Sequence, residues 1–361
     1  MQLTRLTLAR FRGFAVVEWQ PQSGINLITG QNGAGKTSLL EAAHLLANGR
    51  SFRGRVRDGL VRHGEVDLEV FAQWHESDGR QRRAGLRHGG GDWDARLDGQ
   101  AVANLADLCA ALAVLTFEPG SHALIAEGSE HRRRFMDWAL FHVEPEFLPL
   151  WRRYARAVRQ RNALLKSRPP ASQLEPWEQE LAAAGEPLAR MRGLYLERLD
   201  PWLRMAIAAY LPELGTATLR YAPGWKRDEQ SLTQALLRAR EREIVLGHGT
   251  VGPHRADWRI DFERLPGWNA LSRGQEKLLA LACVLAQAQA HAAACGHWPV
   301  LALDDLASEL DQAHQRRVLD DVAASGAQVL LTGTEPPAAL GASGLPFARF
   351  HVEQGELHRL V

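Results

Sequence analysis

The clearest chemical signal in the chain is a glycine-rich loop that ends in lysine and threonine. Residues 30–37 read GQNGAGKT and match G-x-x-x-x-G-K-[ST] at every fixed position. Such a loop turns successive backbone N–H groups inward and opens onto a helix N-terminus, and both features favour a bound anion. Glycine lets the backbone approach phosphate oxygens without a Cβ in the way. The sequence therefore predicts a nucleoside triphosphate site, with ATP as the cofactor, formed by Gly30, Gln31, Asn32, Gly33, Ala34, Gly35, Lys36, Thr37 and Ser38.

The lysine and the threonine of this loop have separate expected roles. Lys36 would reach the β- and γ-phosphates, and the Thr37 hydroxyl would complete the coordination sphere of Mg²⁺. An apolar run at 25–28 precedes the loop, and 38–43 has the composition of a helix. A plain glycine-rich turn between a strand and a helix is the alternative. The complete pattern, together with its flanking segments, favours the phosphate-binding interpretation.

Two adjacent aspartates supply the other half of a metal site. Asp304 and Asp305 follow the apolar run 300–303, which is typical of a strand buried on both faces of a parallel sheet. The carboxyl edge of such a sheet is where α/β proteins bind ligands. We expect Asp304 to hold Mg²⁺ through water, together with Thr37, and Asp305 to orient or deprotonate the attacking water. The predicted catalytic residues are therefore Lys36, Asp304 and Asp305. A pair of surface acids that ends a strand is the alternative for the aspartates taken alone.

A third segment, LSRGQ at 271–275, precedes an apolar helical stretch at 276–290. Its serine offers a hydroxyl and its turn offers free N–H groups, so this helix start is also suited to a phosphate. Ser272, Gly274 and Gln275 are the predicted nucleotide contacts. An N-capped helix would explain the segment by itself. The strand and aspartates about 25 residues later favour the ABC class of ATPases, in which this serine motif closes over the γ-phosphate held by a second subunit.

The elements that position these motifs indicate an α/β phosphate-loop core of ABC type, interrupted by a helical insertion. We assign residues 1–120 and 246–361 to the discontinuous ATP-binding core, and 121–245 to the insertion. Within the insertion, 179–210 is rich in alanine, leucine and arginine, and Pro187 and Pro201 predict a division into two or three helices. Strand-like patterns return at 244–246 and 257–262, and 96–100 is typical of a hairpin turn.

Composition bounds the function classes. The chain has 361 residues, 45% hydrophobic and 24% charged, with a formal net charge of +1. We find no apolar run near membrane-spanning length and no secretory signal, and we expect a cytoplasmic protein that contacts no membrane. Three isolated cysteines, Cys109, Cys283 and Cys295, lack metal-ligand spacing and are expected to be reduced. Because the net charge is so small, any DNA binding must come from local patches.

Two basic patches are candidates for DNA contact. The first, 50–57, is glycine-broken and contains Arg53, Arg55 and Arg57. The second runs from 151 to 168, carries no acidic residue and places Arg152, Arg156 and Arg159 at helical spacing on one face. A solvated helix face, or arginines that pair with acids elsewhere in the fold, is the alternative for each patch.

Taken together, these segments resemble the RecF family, the bacterial recombinational-repair ATPases related to SMC-type heads. The resemblance runs nearly end to end and rests on LARFR at 8–12, GQNGAGKTSLLEA at 30–42, GRSFR at 49–53, RRRFMDW at 132–138, GPHRAD at 252–257, LSRGQEKLL at 271–279 and LDDLASELD at 303–311. The GPHR and Asp-Asp elements are more specific than the phosphate loop, which many families share.

The resemblance implies an ATP-dependent homodimer that binds double-stranded DNA near single-strand gaps and works with RecO and RecR to help RecA onto gapped DNA. It also implies that slow ATP hydrolysis, weak and stimulated by DNA, resets the protein. Two departures from the wider ABC class stand out. The segment LTGT at 331–334 occupies the place of a switch histidine, and no Q-loop glutamine is evident near 116–119.

Two other function classes fit parts of the pattern. One is an ABC transporter ATPase subunit, which the Asp-Asp pair, the missing histidine and the long insertion all disfavour. The other is a DNA-binding scaffold whose ATP site is structural and scarcely turns over. The presence of Lys36, Asp304 and Asp305 makes hydrolysis possible without requiring it.

Overall fold

The computed structural model of the chain describes residues 1–54 and 59–360, in which strands and helices follow the apolar patterns of the sequence. In chain order the elements are β1 (Gln2–Phe11), β2 (Phe14–Trp19), β3 (Ile25–Thr29), α1 (Lys36–Asn48), β4 (Asp67–His75), β5 (Gln81–Gly89), β6 (Asp92–Leu97), β7 (Gln100–Ala101), α2 (Leu105–Ala111), β8 (Val114–Phe117), α3 (Ala123–Ala126), α4 (Ser129–Val143), α5 (Phe147–Leu165), α6 (Ala171–Tyr210), β9 (Ala217–Ala222), α7 (Leu232–Leu246), β10 (Asp257–Phe262), α8 (Arg273–Cys295), β11 (Val300–Leu303), α9 (Leu306–Glu309), α10 (Gln312–Ser325), β12 (Val329–Gly333), α11 (Ala338–Ser343), β13 (Phe347–Glu353) and β14 (Glu356–Leu360).

These elements form two compact units. The first unit is Met1–Ser121 with Ala288–Val361, and the second is His122–Gln287. The first unit contains two six-stranded sheets, and the second is mainly helical with the two-stranded β10–β9 sheet. The predicted fold class, an ABC-type α/β core with a helical insertion, is confirmed.

A mostly parallel sheet of order β14-β13-β3-β12-β11-β8 forms the centre of the first unit. Its strands from β13 to β8 run parallel, and β14 pairs antiparallel with β13. β3, β11 and β12 are buried along their whole length, which is why their sequences are continuous apolar runs. Because these strands are parallel neighbours, the residues that follow β3, β11 and β12 meet at one edge.

The second sheet of this unit is antiparallel, in the order β2-β1-β4-β5-β6-β7. Its buried face shares one core with the apolar side of α1, to which Leu8, Trp74 and Leu39 contribute. The hairpin expected at 96–100 is confirmed, because Leu97 of β6 pairs with Gln100 of β7. Asp98 and Gly99, at φ 53° and 88°, make the two-residue turn.

Helix α6 corrects the prediction of two or three helices over 179–210. It is one helix of 40 residues that contains Pro176, Pro187 and Pro201. Their spacing places all three prolines on one side of the helix. Each proline removes the hydrogen bond to the carbonyl four residues earlier, and those carbonyls belong to the exposed residues Ser172, Ala183 and Glu197. Water can therefore satisfy these carbonyls, while packing against α4, α5 and α7 maintains the helix.

The second unit also extends beyond the predicted insertion. We placed the insertion at 121–245, whereas the compact unit runs to Gln287. The reason is that β10 pairs along its length with β9, and the Asp257 carboxylate at its start accepts a 2.6 Å bond from Arg132 of α4. Residues 244–246, expected to form a strand, are the last turn of α7. The strand expected at 257–262 is β10.

One described helix, α8, is long and apolar enough to cross a membrane by length and composition alone, contrary to the expectation of no such run. Over half of its most apolar window, 56%, is buried inside the protein. This burial is what a core helix shows. The three cysteines are free, and Cys109 and Cys283 are buried.

A buried ion cluster in the second unit gives a first prediction. The Arg161 guanidinium, 1% exposed, bonds Glu178 of α6 at 2.9 Å and Glu243 of α7 at 2.5 Å. In Arg161→Met the buried Glu243 loses its cation and Glu178 keeps only Arg240, and we expect a loss of about 3–5 kcal/mol in the free energy of unfolding. Urea unfolding followed by tryptophan fluorescence measures it.

Arg153 is the matched control, because it lies on the same helix and bonds Glu180 at 2.9 Å with half of its side chain exposed. Arg153→Met should cost at most about 1 kcal/mol, as exposed ion pairs do. Equal shifts of the urea midpoint in the two variants would contradict the larger contribution to the free energy of unfolding that we expect from Arg161.

Candidate functional site

The glycine-rich loop joins β3 to α1 through a backbone that only glycine fits. Gly30, Gly33 and Gly35 have φ angles of 154°, 82° and 114°. A Cβ on Gly30 would lie 2.5 Å from the carbonyl oxygen of Val352, and one on Gly35 would lie 2.8 Å from the ring of Phe14. These two positions exclude a side chain by close approach as well as by backbone angle.

The other predicted loop residues divide into an exposed rim and a buried helix start. Gln31 and Asn32 are exposed, whereas Ser38 is buried. Turn hydrogen bonds run from Ala34 N–H to the Gln31 carbonyl at 3.2 Å and from Ser38 N–H to the Gly35 carbonyl at 2.9 Å. The loop is thus a closed turn at the N-terminus of α1, the arrangement suited to an anion.

Lys36 folds back over its own loop. Its Nζ donates to the carbonyl oxygens of Gly30 at 2.8 Å and Gln31 at 2.9 Å. Burial lowers the pKa of this ammonium, and the negative charges of Asp305 and Asp304 oppose the shift. The lysine is held in the mouth of the loop, where phosphate oxygens can replace neutral carbonyls as its acceptors with a gain in charge complementarity.

Asp304 lies beside two hydroxyl groups at the carboxyl end of β11. Thr37 Oγ1 donates to its two oxygens at 2.9 and 3.0 Å, and Thr332 Oγ1, on β12, lies 2.6 Å from Oδ1. Burial raises the pKa of Asp304, the hydroxyl hydrogen bonds oppose that rise, and the charge of Asp305 adds to it. Loop and strand edge therefore bring Thr37 and Asp304, the two predicted metal ligands, into contact.

Asp305 has a left-handed backbone, with φ 51° and ψ 40°, at the start of α9. Its N–H donates to Thr332 Oγ1 at 2.9 Å, and its Oδ2 accepts from Ser308 Oγ at 2.6 Å. Its charge also acts on Lys36. Both predicted acids and the lysine thus belong to one cluster in the first unit.

The donor set fits a magnesium–nucleotide complex. Within 1–54 and 59–360 no group of three or more His, Cys, Asp or Glu residues could hold a metal by itself. Mg²⁺ prefers oxygen ligands, and commonly takes one or two from the protein and the rest from phosphates and water. Thr37 Oγ1 and the Asp304 carboxylate supply such a pair next to the phosphate loop, so these residues would hold the ion with the nucleotide.

The serine motif belongs to the second unit and starts α8 with a reciprocal cap. Gln275 N–H donates to Ser272 Oγ at 3.3 Å, and Ser272 N–H donates to Gln275 Oε1 at 3.0 Å. Gln275 Nε2 also donates to Glu213 at 3.2 Å. Ser272 and Gly274 are exposed. The predicted nucleotide contacts of this motif therefore occupy an accessible helix N-terminus.

A buried carboxylate behind the loop was missed in the sequence. Glu41 of α1 is 0% exposed and accepts from Arg12 at 2.6 and 3.0 Å and from Ser51 Oγ. Arg53, predicted to contact DNA, lies 3.9 Å from Glu41, and its charge is the weakest of the effects that oppose the burial-driven rise in the pKa of Asp304. The available signal was a lone acid within the apolar run of α1. Arg53 is thus near the acids of the ATP site, and Arg55 and Arg57 lie outside the described residues.

The arginines of the second basic patch have different surroundings in the structure, although all charges in this stretch of sequence are positive. Arg153 and Arg161 pair with acidic residues of α6 and α7. The three candidates Arg152, Arg156 and Arg159 are exposed on α5 at the predicted helical spacing. The structure therefore brings these three to one solvent-facing stripe and assigns their two neighbours to structural ion pairs.

Comparisons with known proteins cover the whole chain. A family model described as the RecF/RecN/SMC N terminal domain matches residues 2–345. The DNA replication and repair protein RecF of Stenotrophomonas maltophilia (strain R551-3) is 58% identical over 361 residues, which cover 99% of each chain. That of Shewanella sp. (strain MR-4) is 35% identical over 358 residues, again 99% of each.

Solved structures agree with this relationship. The recombination mediator protein RecF with ATP, of the RecFOR pathway, superposes with a TM-score of 0.88 at 25% identity and covers 100% of this chain and 98% of its own. An Smc head bound to the C-winged helix domain of ScpA gives a TM-score of 0.59 at 15% identity, covering 100% and 97%. The second similarity shows a shared fold alone.

Proposed function

We propose that this chain, which belongs to the RecF family, is an ATP-dependent DNA-binding protein of recombinational repair and replication. One observation carries the proposal. The phosphate loop, its lysine, the threonine hydroxyl and the Asp304–Asp305 pair form one hydrogen-bonded cluster at the edge of the parallel sheet. This cluster has the groups needed to bind Mg-ATP and to activate a water for its hydrolysis.

The proposed active form is a homodimer that ATP holds together. Ser272 and the N–H groups at the start of α8 form an accessible anion site. In the sequence this site is far from the phosphate loop. In the proposal, Ser272, Gly274 and Gln275 of one copy meet the nucleotide held by the loop of the other. Asp305 orients or deprotonates the attacking water, and slow hydrolysis returns the protein to monomers.

In the cell this dimer would bind duplex DNA near single-strand gaps. One relative of known structure is a recombination mediator of the RecFOR pathway. By family membership, we propose RecO and RecR as partners, and promotion of RecA loading as the outcome, in the cytoplasm. Relatives named RecF match this chain over 99% of its length, which supports this proposal over the transporter-subunit alternative.

Sedimentation tests the proposal directly. The chain is centrifuged with Mg-ATP and then with Mg-ADP, each with and without gapped duplex, and ATP turnover is measured on the same samples. A dimer with ATP, a monomer with ADP, and turnover that gapped duplex increases would support it. DNA binding with an ATP site that does not turn over would indicate the scaffold alternative. Absence of DNA binding in every nucleotide state would exclude both.

The exposed stripe on α5 gives a prediction for DNA affinity. Binding that is dominated by phosphate contacts should weaken steeply with salt, with a slope of about 0.9 per contact in log–log form. If Arg152, Arg156 and Arg159 all touch phosphate, replacing them by alanine should reduce the slope by up to about 2.7. An ATP dimer presents each patch twice and strengthens the effect. Titration of labelled duplex at several salt concentrations, with ATP present, measures the slope.

Three exposed cations elsewhere in the same unit provide the control: Arg204 beside Asp200, Arg220 beside Asp261 and Lys226 beside Glu229. Their triple alanine variant removes the same charge and should leave the slope nearly unchanged. The Arg53, Arg55 and Arg57 variant tests the other patch. If both test variants keep the wild-type salt slope and DNA affinity, neither patch is the surface that binds duplex DNA.

A further inference from the structure

One buried hydroxyl contacts both acids of the ATP site. Thr332 lies on β12, between β3 and β11, and its side chain is inaccessible at 1% exposure. Its Oγ1 is 2.6 Å from Asp304 Oδ1 and 2.9 Å from the backbone nitrogen of Asp305. Thr332 belongs to the segment 331–334, which occupies the place of the switch histidine of the wider ABC class, and the sequence does not assign it a role.

The chemistry of the two contacts fixes the direction of each hydrogen bond. A backbone N–H can only donate, so Thr332 Oγ1 accepts from Asp305. The single hydrogen of the hydroxyl is then free to point at Asp304 Oδ1, which is an acceptor when ionised. Threonine is also restricted at χ1 by its branched Cβ. Thr332 is therefore a rigid and directional link between the two neighbouring acids.

We propose that Thr332 is a positioning residue that holds Asp304 and Asp305 in the arrangement required for Mg-ATP. This inference rests on the proposed function of the site. Thr332 engages Oδ1 of Asp304 alone, whereas Thr37 reaches both oxygens of the carboxylate, at 2.9 Å from Oδ1 and 3.0 Å from Oδ2. The Thr37 hydroxyl is a predicted metal ligand, and its oxygen can bind the ion through a lone pair while its hydrogen still points at Asp304. The contact from Thr332 holds Asp304 whether or not Thr37 binds the ion.

The same hydroxyl supports the unusual backbone of Asp305. A left-handed residue other than glycine needs local support, and aspartate is among the few types that adopt this conformation readily. Thr332 anchors the N–H of Asp305, and Ser308 holds its Oδ2 at 2.6 Å. Loss of the anchor would release the turn in which β11 passes into α9. Both acids would then be less well ordered for the metal and for water.

The test compares Thr332→Val, which keeps the branched shape without the hydroxyl, with Thr332→Ser, which keeps the hydroxyl. Equilibrium binding of a fluorescent ATP analogue is measured by anisotropy across a Mg²⁺ titration, without DNA and without turnover. Loss of a group that orients a metal ligand commonly costs 10–100-fold in metal affinity, and we expect the Mg²⁺ midpoint to rise by at least about 10-fold in Thr332→Val. Thr332→Ser should recover most of the wild-type response.

Thr116→Val is the matched control. Thr116 lies on β8 of the same sheet, and its hydroxyl contacts His44 at 2.8 Å instead of an acid of the site. This variant should leave the Mg²⁺ midpoint at the wild-type value. A similar midpoint shift in both valine variants, or none in Thr332→Val, would overturn the positioning role.

If Thr332→Val does not fold, the pair Thr332→Ser and Thr332→Cys decides, because they differ by one atom and a thiol is a weak donor. A higher Mg²⁺ midpoint for cysteine than for serine supports the role, and equal midpoints overturn it. Failure of the wild-type chain to bind the analogue in a Mg²⁺-dependent way is a different result. It would refute the proposed function itself.

Discussion

Replacement of Lys36 by alanine should reduce ATP affinity by about 100-fold or more. The reason is that the ammonium lies in the mouth of the loop, on the carbonyls of Gly30 and Gln31, ready for phosphate. Hydrogen bonds between charged groups are worth about 1.5–3 kcal/mol each, and more than one phosphate oxygen is in reach. Lys36→Arg keeps the charge but misplaces it, so binding should survive better than turnover. Titration calorimetry with Mg-ATP measures the affinities.

Thermal melting separates this loss from damage to the fold. Burial lowers the pKa of Lys36, which means that the charged ammonium is less stable in the folded, nucleotide-free chain than in water. Loss of this cost offsets the loss of two hydrogen bonds to loop carbonyls, so Lys36→Ala should melt close to wild type without ATP, yet gain no stability when Mg-ATP is added. Lys226→Ala, an exposed lysine paired with Glu229, should behave as wild type in both respects. Unchanged ATP affinity in Lys36→Ala would refute the phosphate-loop assignment.

Two substitutions should move the monomer–dimer equilibrium in opposite directions. Ser272→Arg should bind ATP and remain monomeric, since a bulky side chain replaces the hydroxyl at the exposed start of α8. Asp305→Asn keeps a residue that tolerates the left-handed backbone but loses the carboxylate that activates water. It should accumulate as an ATP dimer. Sedimentation velocity with saturating Mg-ATP distinguishes the two variants from each other and from the wild-type chain.

Helix capping needs its own control, because Ser272→Arg also removes a cap worth about 1 kcal/mol. Ser231 caps α7 with the same reciprocal pattern through Gln234. Ser231→Arg should lower stability by a similar amount and still dimerise with ATP. Loss of dimerisation in both variants would assign the effect to capping. A wild-type chain that stays monomeric at high concentration with Mg-ATP would exclude the cross-subunit mechanism.

The phosphate loop and the strand before Asp304 were predictable because their signals are local. A glycine with no room for Cβ, as at Gly30, leaves a fixed residue type in the sequence. A strand buried on both faces, as β11 is, leaves a continuous apolar run. These local rules extend to the fold class, because alternating strands and helices around such a loop admit few arrangements.

Other features depend on distant partners and were not predictable. Proline is a breaker by local rules, and α6 overrides them because its prolines share an exposed side while packing on three helices holds the rest. Because all charges on α5 are positive, its sequence did not indicate that Arg161 forms buried ion pairs. The acidic partners of Arg161 lie 17 and 82 residues away. Tertiary contacts likewise determine the surroundings of Arg53 and Thr332, and no local pattern in the sequence predicts those contacts.

The left-handed backbone at Asp305 also limits which residue types fit this position at low cost. Left-handed φ is accessible to glycine, asparagine and aspartate at low cost, whereas other residues pay about 1–2 kcal/mol. The glutamate that serves the wider ABC class has a longer side chain and no such preference. In this chain a mutation to glutamate would carry that backbone cost at the turn between β11 and α9. The shorter acid therefore suits the turn geometry at this position, and the residue that acts on the attacking water is also one that the backbone accepts at low cost.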